Sequence, residues 1–299
     1  MARPSLVLEG ALTALITPFA DGGIDHPSLA ALVDRQIAGG IDGLVPCGTT
    51  GESATMTEDE RLAVISTVVE AGRGRVPVVA GTGSNDTRVT VAFTRKAAEI
   101  RGVDAALVVT PYYNKPNQEG LYRHFAQIAD EGGLPVVVYN VPGRTAVSLT
   151  AQTVARLAAH GGIIAIKEAT ADMVLATRIV ELAGEAITLL SGDDFTTLPL
   201  LSVGGRGCIS VVSNLDPTSM SQMCHLANGG DYDSARALHM KIQPLARALF
   251  SDSNPVPVKT AAALLGWCGP ELRGPLYAPD DASRASLAQV LAAYGLLKG

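Results

Sequence analysis

Several polar side chains in this sequence sit where apolar runs stop, and their types suit one chemistry. The run 163–166, Ile-Ile-Ala-Ile, ends on Lys167 and Glu168. Lysine is rarely buried unless it is paired or put to use. Burial disfavours the charged form of an amine, and the uncharged amine is the form that attacks a carbonyl to give a Schiff base. The run 136–138 ends on Tyr139, a phenol able to shuttle protons during imine formation. It leads on to Arg144, whose guanidinium offers a two-pronged clamp for a carboxylate. The stretch 48–53, Gly-Thr-Thr-Gly-Glu-Ser, presents backbone N–H groups and the hydroxyls of Thr49 and Thr50, a setting for a small carboxylate. It is not a phosphate loop, because no lysine follows the second glycine.

Each feature also has a plainer reading. Lys167 could snorkel to solvent or pair with Glu168. Gly48 to Gly51 could be a tight turn, Tyr139 a strand-end aromatic, and Arg144 the partner of a surface carboxylate. Gly81 and Gly83 lack the third glycine of a dinucleotide fingerprint. Asp193 and Asp194 read as a helix N-cap rather than a metal site.

The elements that must position these residues decide between the readings. Short apolar runs at 11–17, 43–46, 76–80, 105–110, 136–139, 163–167, 188–190 and 208–212 read as strands. Helical patterns alternate with them at 27–39, 58–71, 87–100, 118–129, 151–158, 173–182 and 195–203, and 217–227 follows the last strand. Ser28 and Asp86 are placed to cap, and Thr57 with Glu60 has the form of a capping box. Eight such units predict a parallel (β/α)8 TIM barrel, an α/β fold, over residues 1–230. From 231 the strands stop, and 231–250, 258–265 and 281–297 read as a C-terminal helical appendage over 231–299. In such a barrel the chemistry sits on the loops after the strand ends. Strands five and six are neighbours, so Tyr139 and Lys167 project towards one spot. Convergence on one rim favours chemistry over the plainer readings.

Composition narrows the class. Hydrophobic residues are 47% and charged residues 17% of the 299, enough for a large core and without the signature of disorder. The net charge of −6 is mild and unclustered, which argues against nucleic acid or an anionic membrane as partner. The first residues lack the apolar core of a secretory signal, and no apolar run reaches the length of a membrane span. The four cysteines form no CxxC pair and the five histidines no HxH or HxxxH pair. A disulfide framework, a zinc knuckle and a metal-dependent aldolase all lose ground. The expectation is a cytoplasmic, cofactor-light enzyme or binding protein.

GTTGES (48–53), TPYYNKP (110–116), YNVPGRT (139–145), IKEAT (166–170), LLSGDD (189–194), GGRGCISVVSN (204–214) and NPVPVK (254–259) resemble the dihydrodipicolinate synthase family, in order and from about residue 10 onward. The resemblance implies that Lys167 forms a Schiff base with pyruvate and that no other cofactor or metal is needed. It implies that Tyr139 passes protons in relay with Thr50 and Tyr113, the latter reaching the site of a neighbouring subunit. Thr49 and Thr50 would hold the pyruvate carboxylate, and Gly192 and Ile209 would offer main-chain groups around the adduct. Arg144 would bind the carboxylate of L-aspartate 4-semialdehyde, and the product would be 4-hydroxy-tetrahydrodipicolinate, on the way to lysine and diaminopimelate. A homotetramer is implied. N-acetylneuraminate lyase and the ketodeoxy-sugar-acid aldolases share the barrel, the lysine and the tyrosine. Arg144 with Tyr112 and Tyr113 favours the short semialdehyde over a sugar. A silent keto-acid-binding barrel would have no need of Thr50, Tyr113, Tyr139, Arg144 and Lys167 together. Ser53, Ala54, Asn85 and Tyr112 match the lysine-inhibition site of the family, whereas Glu58, Arg61 and Val89 depart from it. Val89 cannot pair with an ammonium group and Arg61 would repel one, so weak or absent lysine feedback is expected.

Overall fold

The structure, a computed structural model, describes residues 6–297. Eight parallel strands, β1 (Gly10–Ala14), β2 (Gly43–Val45), β3 (Val79–Gly81), β4 (Ala105–Val109), β5 (Val136–Asn140), β6 (Ile163–Glu168), β7 (Thr188–Ser191) and β8 (Gly207–Ser210), pair in sequence order, with β8 returning to β1. A parallel bridge between Leu44 and Val78 closes the barrel between β2 and β3.

Period-two alternation sorts the side chains. Leu12, Val45, Val79, Leu107, Val137, Tyr139, Ala165, Leu190 and Ile209 fill the interior. Leu44, Ala80, Val108, Val138, Ile166, Leu189 and Cys208 pack outwards against the helices. One irregularity bears directly on the site. Between β5 and β6 the register runs Val136 to Ile163 and then Val137 to Ala165, so Ile164 is an extra residue. Ile163 faces the helices, and unbroken alternation from it would turn Lys167 outwards too. The bulge shifts the frame by one, so Ala165 and Lys167 face inwards.

The outer helices are α1 (His26–Ala38), α2 (Glu58–Gly72), α3 (Thr87–Glu99), α4 (Gln118–Glu131), α5 (Ala151–Ala158), α6 (Met173–Ala183), α7 (Thr197–Ser202) and α8 (Pro217–Asn228). The capping box at Thr57 forms with both reciprocal bonds, and Asp86 caps α3. Ser28 does not cap α1. Asp25 does, accepting from the Ser28 N–H, and the helix starts at His26 with a proline in its first turn.

Two strands end well before their apolar runs do, because side chains capture backbone N–H groups just beyond the last paired residues. The Ile16 N–H donates to Asn214 Oδ1, 3.1 Å, beyond the end of β1. Val211 and Val212 both donate to Asp194 Oδ2, 3.0 Å each, ending β8 at Ser210. Asp194 is therefore no cap for α7. Nor is Asp193: α7 has Thr196 as its N-cap with no side-chain cap bond, and Asp193 accepts from the Phe195 N–H and the Thr196 hydroxyl in the turn before it. β3 starts late, at Val79, after Pro77, which has no N–H to give. A two-residue hairpin (Phe19–Ala20 with Gly23–Ile24), too short to stand out in the sequence, follows β1.

Three further helices, α9 (Tyr232–Leu249), α10 (Val256–Leu264) and α11 (Asp281–Tyr294), follow the barrel. α9 packs on α8, and α11 on α9 and α10. The first turn of α10 and the segment entering it lie over the rim where the strands end, as the bonds of Lys259 and Asn254 to the loop after β2 require.

Candidate active site

Lys167 is buried, 6% exposed, and faces the barrel interior opposite Tyr139 on β5. Its Nζ lies 4.4 Å from the centroid of the Tyr139 ring. Glu168 is turned away from it. Its carboxylate accepts from Asn140 Nδ2 (2.8 Å) and the Thr170 N–H (2.7 Å), and burial pushes its pKa up. The plain reading of Lys167 as half of an ion pair with its neighbour therefore fails. The other plain reading, snorkelling, fails on burial.

Gly192, after β7, makes room for the amine. A Cβ there would lie 2.9 Å from both Cγ and Cε of Lys167 and 2.7 Å from Ala169 Cβ, closer than packed carbon atoms approach. Ile209 on β8 is buried beside Leu12 inside the barrel.

The loop after β2 brings Thr49 and Thr50 to the same rim. Thr17 bonds the Gly51 carbonyl at 2.8 Å, and Thr50 is buried. Glu52 follows in a left-handed conformation, φ +53°, and is held from the appendage. Its Oε1 lies 2.6 Å from Lys259 Nζ, with both side chains essentially without exposure (1% and 0%). Its Oε2 accepts from the Arg273 N–H, 3.0 Å. Lys259 Nζ also sits 3.8 Å from the centroid of the Phe19 ring. Burial lowers the pKa of Lys259 and the Glu52 charge opposes that. Arg273 then clamps Glu60 with both terminal nitrogens and reaches the carbonyls of Thr55 and Gly22.

Arg144 is exposed on the short helical turn Pro142–Thr145 after β5, and its Nη2 donates to the Asn254 carbonyl at 3.3 Å. The Asn254 side chain donates in turn to Thr50 Oγ1, 2.9 Å. An open cavity of about 510 Å³ is lined by Thr49, Arg61, Tyr112, Arg144 and Asn254. A smaller space of about 50 Å³, shared at Thr49, leads down to Tyr139. The larger volume lies within the roughly 300–1,000 Å³ usual for small-molecule sites.

Of the residues singled out from sequence, Thr49, Thr50, Tyr139, Arg144, Lys167, Gly192 and Ile209 share this rim. Tyr113 does not join them within one chain. It is 90% exposed, at φ +70°, off the cavity. Asn254, Glu52 and Lys259 had no assigned role. The signal for Lys259 was the one that marked Lys167, a lysine within an apolar run, here VPVKTAAALL. Among the described residues, no group of three histidine, cysteine, aspartate or glutamate side chains is placed to hold a metal ion. None of the described helices is long and apolar enough to cross a membrane.

Fold and site together define a (β/α)8-barrel enzyme with its polar groups gathered at the C-terminal ends of the strands. The chain belongs to the dihydrodipicolinate synthetase family, whose model matches residues 7–294. It is 50% identical over 291 residues to the 4-hydroxy-tetrahydrodipicolinate synthase of Pelobacter propionicus, covering 97% of this chain and 100% of the relative. It superposes on the crystal structure of dihydrodipicolinate synthase from Aquifex aeolicus with a TM-score of 0.95 at 42% identity, over 98% of this chain and 100% of the other. The chloride-inhibited enzyme of Acinetobacter baumannii, complexed with pyruvate, gives 0.95 at 40% identity, over 97% and 100%.

Proposed function

We propose that this chain works as a 4-hydroxy-tetrahydrodipicolinate synthase with Lys167 as its nucleophile, joining pyruvate to L-aspartate 4-semialdehyde. The observation that carries the mechanism is the buried amine of Lys167, beside a phenol, with its acidic neighbour bonded elsewhere. The amine attacks C2 of pyruvate and water leaves, giving the imine. Loss of a C3 proton gives the enamine, whose C3 attacks the aldehyde carbon of the second substrate. The amino group of that substrate then closes the ring and displaces Lys167. Each step moves a proton, and Tyr139 in relay with Thr50 carries it. Thr49 and Thr50 hold the pyruvate carboxylate, with Gly192 and Ile209 offering main-chain groups. No cofactor beyond this covalent link is required.

Arg144 clamps the second carboxylate, which separates a semialdehyde from a sugar acceptor. Tyr113, directed into solvent in a single chain, completes the relay of a neighbouring subunit, and the working unit is a homotetramer. A cytoplasmic setting fits free, buried thiols such as Cys47, Cys208 and Cys224.

Borohydride added with pyruvate should trap a covalent adduct on Lys167, lost in Lys167→Ala. An intact, folded protein that forms no adduct would sink the mechanism. With pyruvate held constant, L-aspartate 4-semialdehyde should turn over faster than N-acetylmannosamine or a glyceraldehyde-type acceptor; the reverse order would assign a sugar-acid aldolase.

A further inference from the structure

Asn254 stands apart from the other rim residues in touching both halves of the site. Its side-chain Nδ2 donates to Thr50 Oγ1 at 2.9 Å, and its main-chain carbonyl accepts from Arg144 Nη2 at 3.3 Å. It is buried, 9% exposed, and its Oδ1 has no hydrogen-bond partner. A buried carbonyl without a partner costs stability, and the backbone carries no role for this side chain beyond Thr50. A hydroxyl has one proton to give and two lone pairs to receive with. With the amide donating, a Thr50 lone pair is occupied and its own proton stays free to pass on. With the amide reversed, Oδ1 would take that proton out of the relay.

We infer that Asn254 is a positioning residue for the reaction: it fixes the direction in which Thr50 hands on its proton, while its backbone holds the Arg144 clamp. The inference rests on the reading of Thr50 as part of the proton relay. The side chain therefore serves proton transfer, and the main chain serves the second substrate. Side-chain substitution should lower kcat and leave KM for the semialdehyde alone, because every variant keeps the carbonyl that holds Arg144.

The direction makes an unusual ranking. Asp has nearly the shape of Asn but only accepts when ionised, so Asn254→Asp draws the Thr50 proton away. Asn254→Ala merely frees the hydroxyl to rotate. At saturating pyruvate, kcat should fall about 100-fold in Asn254→Asp, the lower end of a proton-transfer contribution, and only about tenfold in Asn254→Ala, which misdirects the proton for part of the time rather than removing it. A purely structural side chain would give the opposite order, the isosteric Asp being the milder change, and that result would overturn the inference. So would a KM for the semialdehyde that rises in step with the loss of kcat. In a Thr50→Val background, Asn254→Ala should cost nothing more, since its target is gone. An undiminished tenfold loss there would refute it, and this cycle decides alone if the Asp variant does not fold. The wild-type borohydride adduct is read alongside. Its absence overturns the Schiff-base reading itself, whereas its presence with the wrong ranking overturns only the role of Asn254.

Discussion

At the scale of single residues, space is as decisive as chemistry. Lys167 needs a gap beside β7, and Gly192 supplies it. Gly192→Ala should fold, because overpacking by one methyl costs about 1–3 kcal/mol. It should nonetheless form the pyruvate adduct about 100-fold more slowly, as expected when a reacting group is displaced by about 1 Å. Trapping by borohydride over time checks this, and an unchanged rate would show that the lysine reaches pyruvate from elsewhere. Lys167, Tyr139 and Arg144 were legible in the sequence because each ends or follows an apolar run, where a polar group needs a reason. The bond from Asn254 to Thr50 was not, since 204 residues separate the partners and neither position is unusual by itself.

At the scale of elements, the appendage is tied by charge to the loop after β2, through Lys259 and Glu52, and to the first turn of α2, through Arg273 and Glu60. The Glu60 pKa is lowered from 4.5 to about 2 by the hydrogen bond from Arg273, with the Thr57 backbone bond adding to it. A carboxylate with a depressed folded-state pKa stabilises fully above its unfolded value and loses that contribution as pH falls through the folded value. Wild type should therefore be more stable than Arg273→Ala near neutrality, and the part of the gap due to Glu60 should close between about pH 4.5 and pH 2. Denaturant melts across that range test it; a gap independent of pH would assign the effect of Arg273 to its carbonyl bonds instead.

The outer cavity carries a second prediction at this scale. Arg61 lines it, stacked over the Phe93 ring and donating to the Gly81 carbonyl at 2.9 Å. Val89 lines it too, and Glu58 is already paired with Lys96. An incoming lysine finds a cation and no free acid at these positions. The loss of one charged hydrogen bond, worth about 1.5–3 kcal/mol, should make feedback by lysine weak or absent. Strong inhibition in a titration at modest lysine concentrations would overturn this.

For the whole molecule, the barrel and the order of its strands were readable because β-branched runs and capped helices alternate with little interruption. The appendage was readable as helices. Its reach over the rim was not, because helical periodicity says nothing of where a helix docks. The bulge at Ile164 was hidden as well, since Ile-Ile-Ala-Ile is apolar in either frame. Assembly is tested by complementation. If Tyr113 serves a neighbour, Lys167→Ala and Tyr113→Phe are each impaired alone. A co-expressed mixture should regain activity, because mixed pairs contain one site with both an intact lysine and an intact donated tyrosine. A mixture no better than its parents would confine Tyr113 to its own chain.

The bulge in β6 has a consequence for how this barrel tolerates change. Because the extra residue is absorbed between Ile163 and Ala165, the direction of Lys167 is counted from its pairing with Tyr139 and Leu190, not from the start of the strand. The bulge is a slip joint. Chain can be gained or lost before it, where α5 hands over to β6, without turning the amine away from the barrel interior. One residue added after it would exchange Lys167 for an isoleucine.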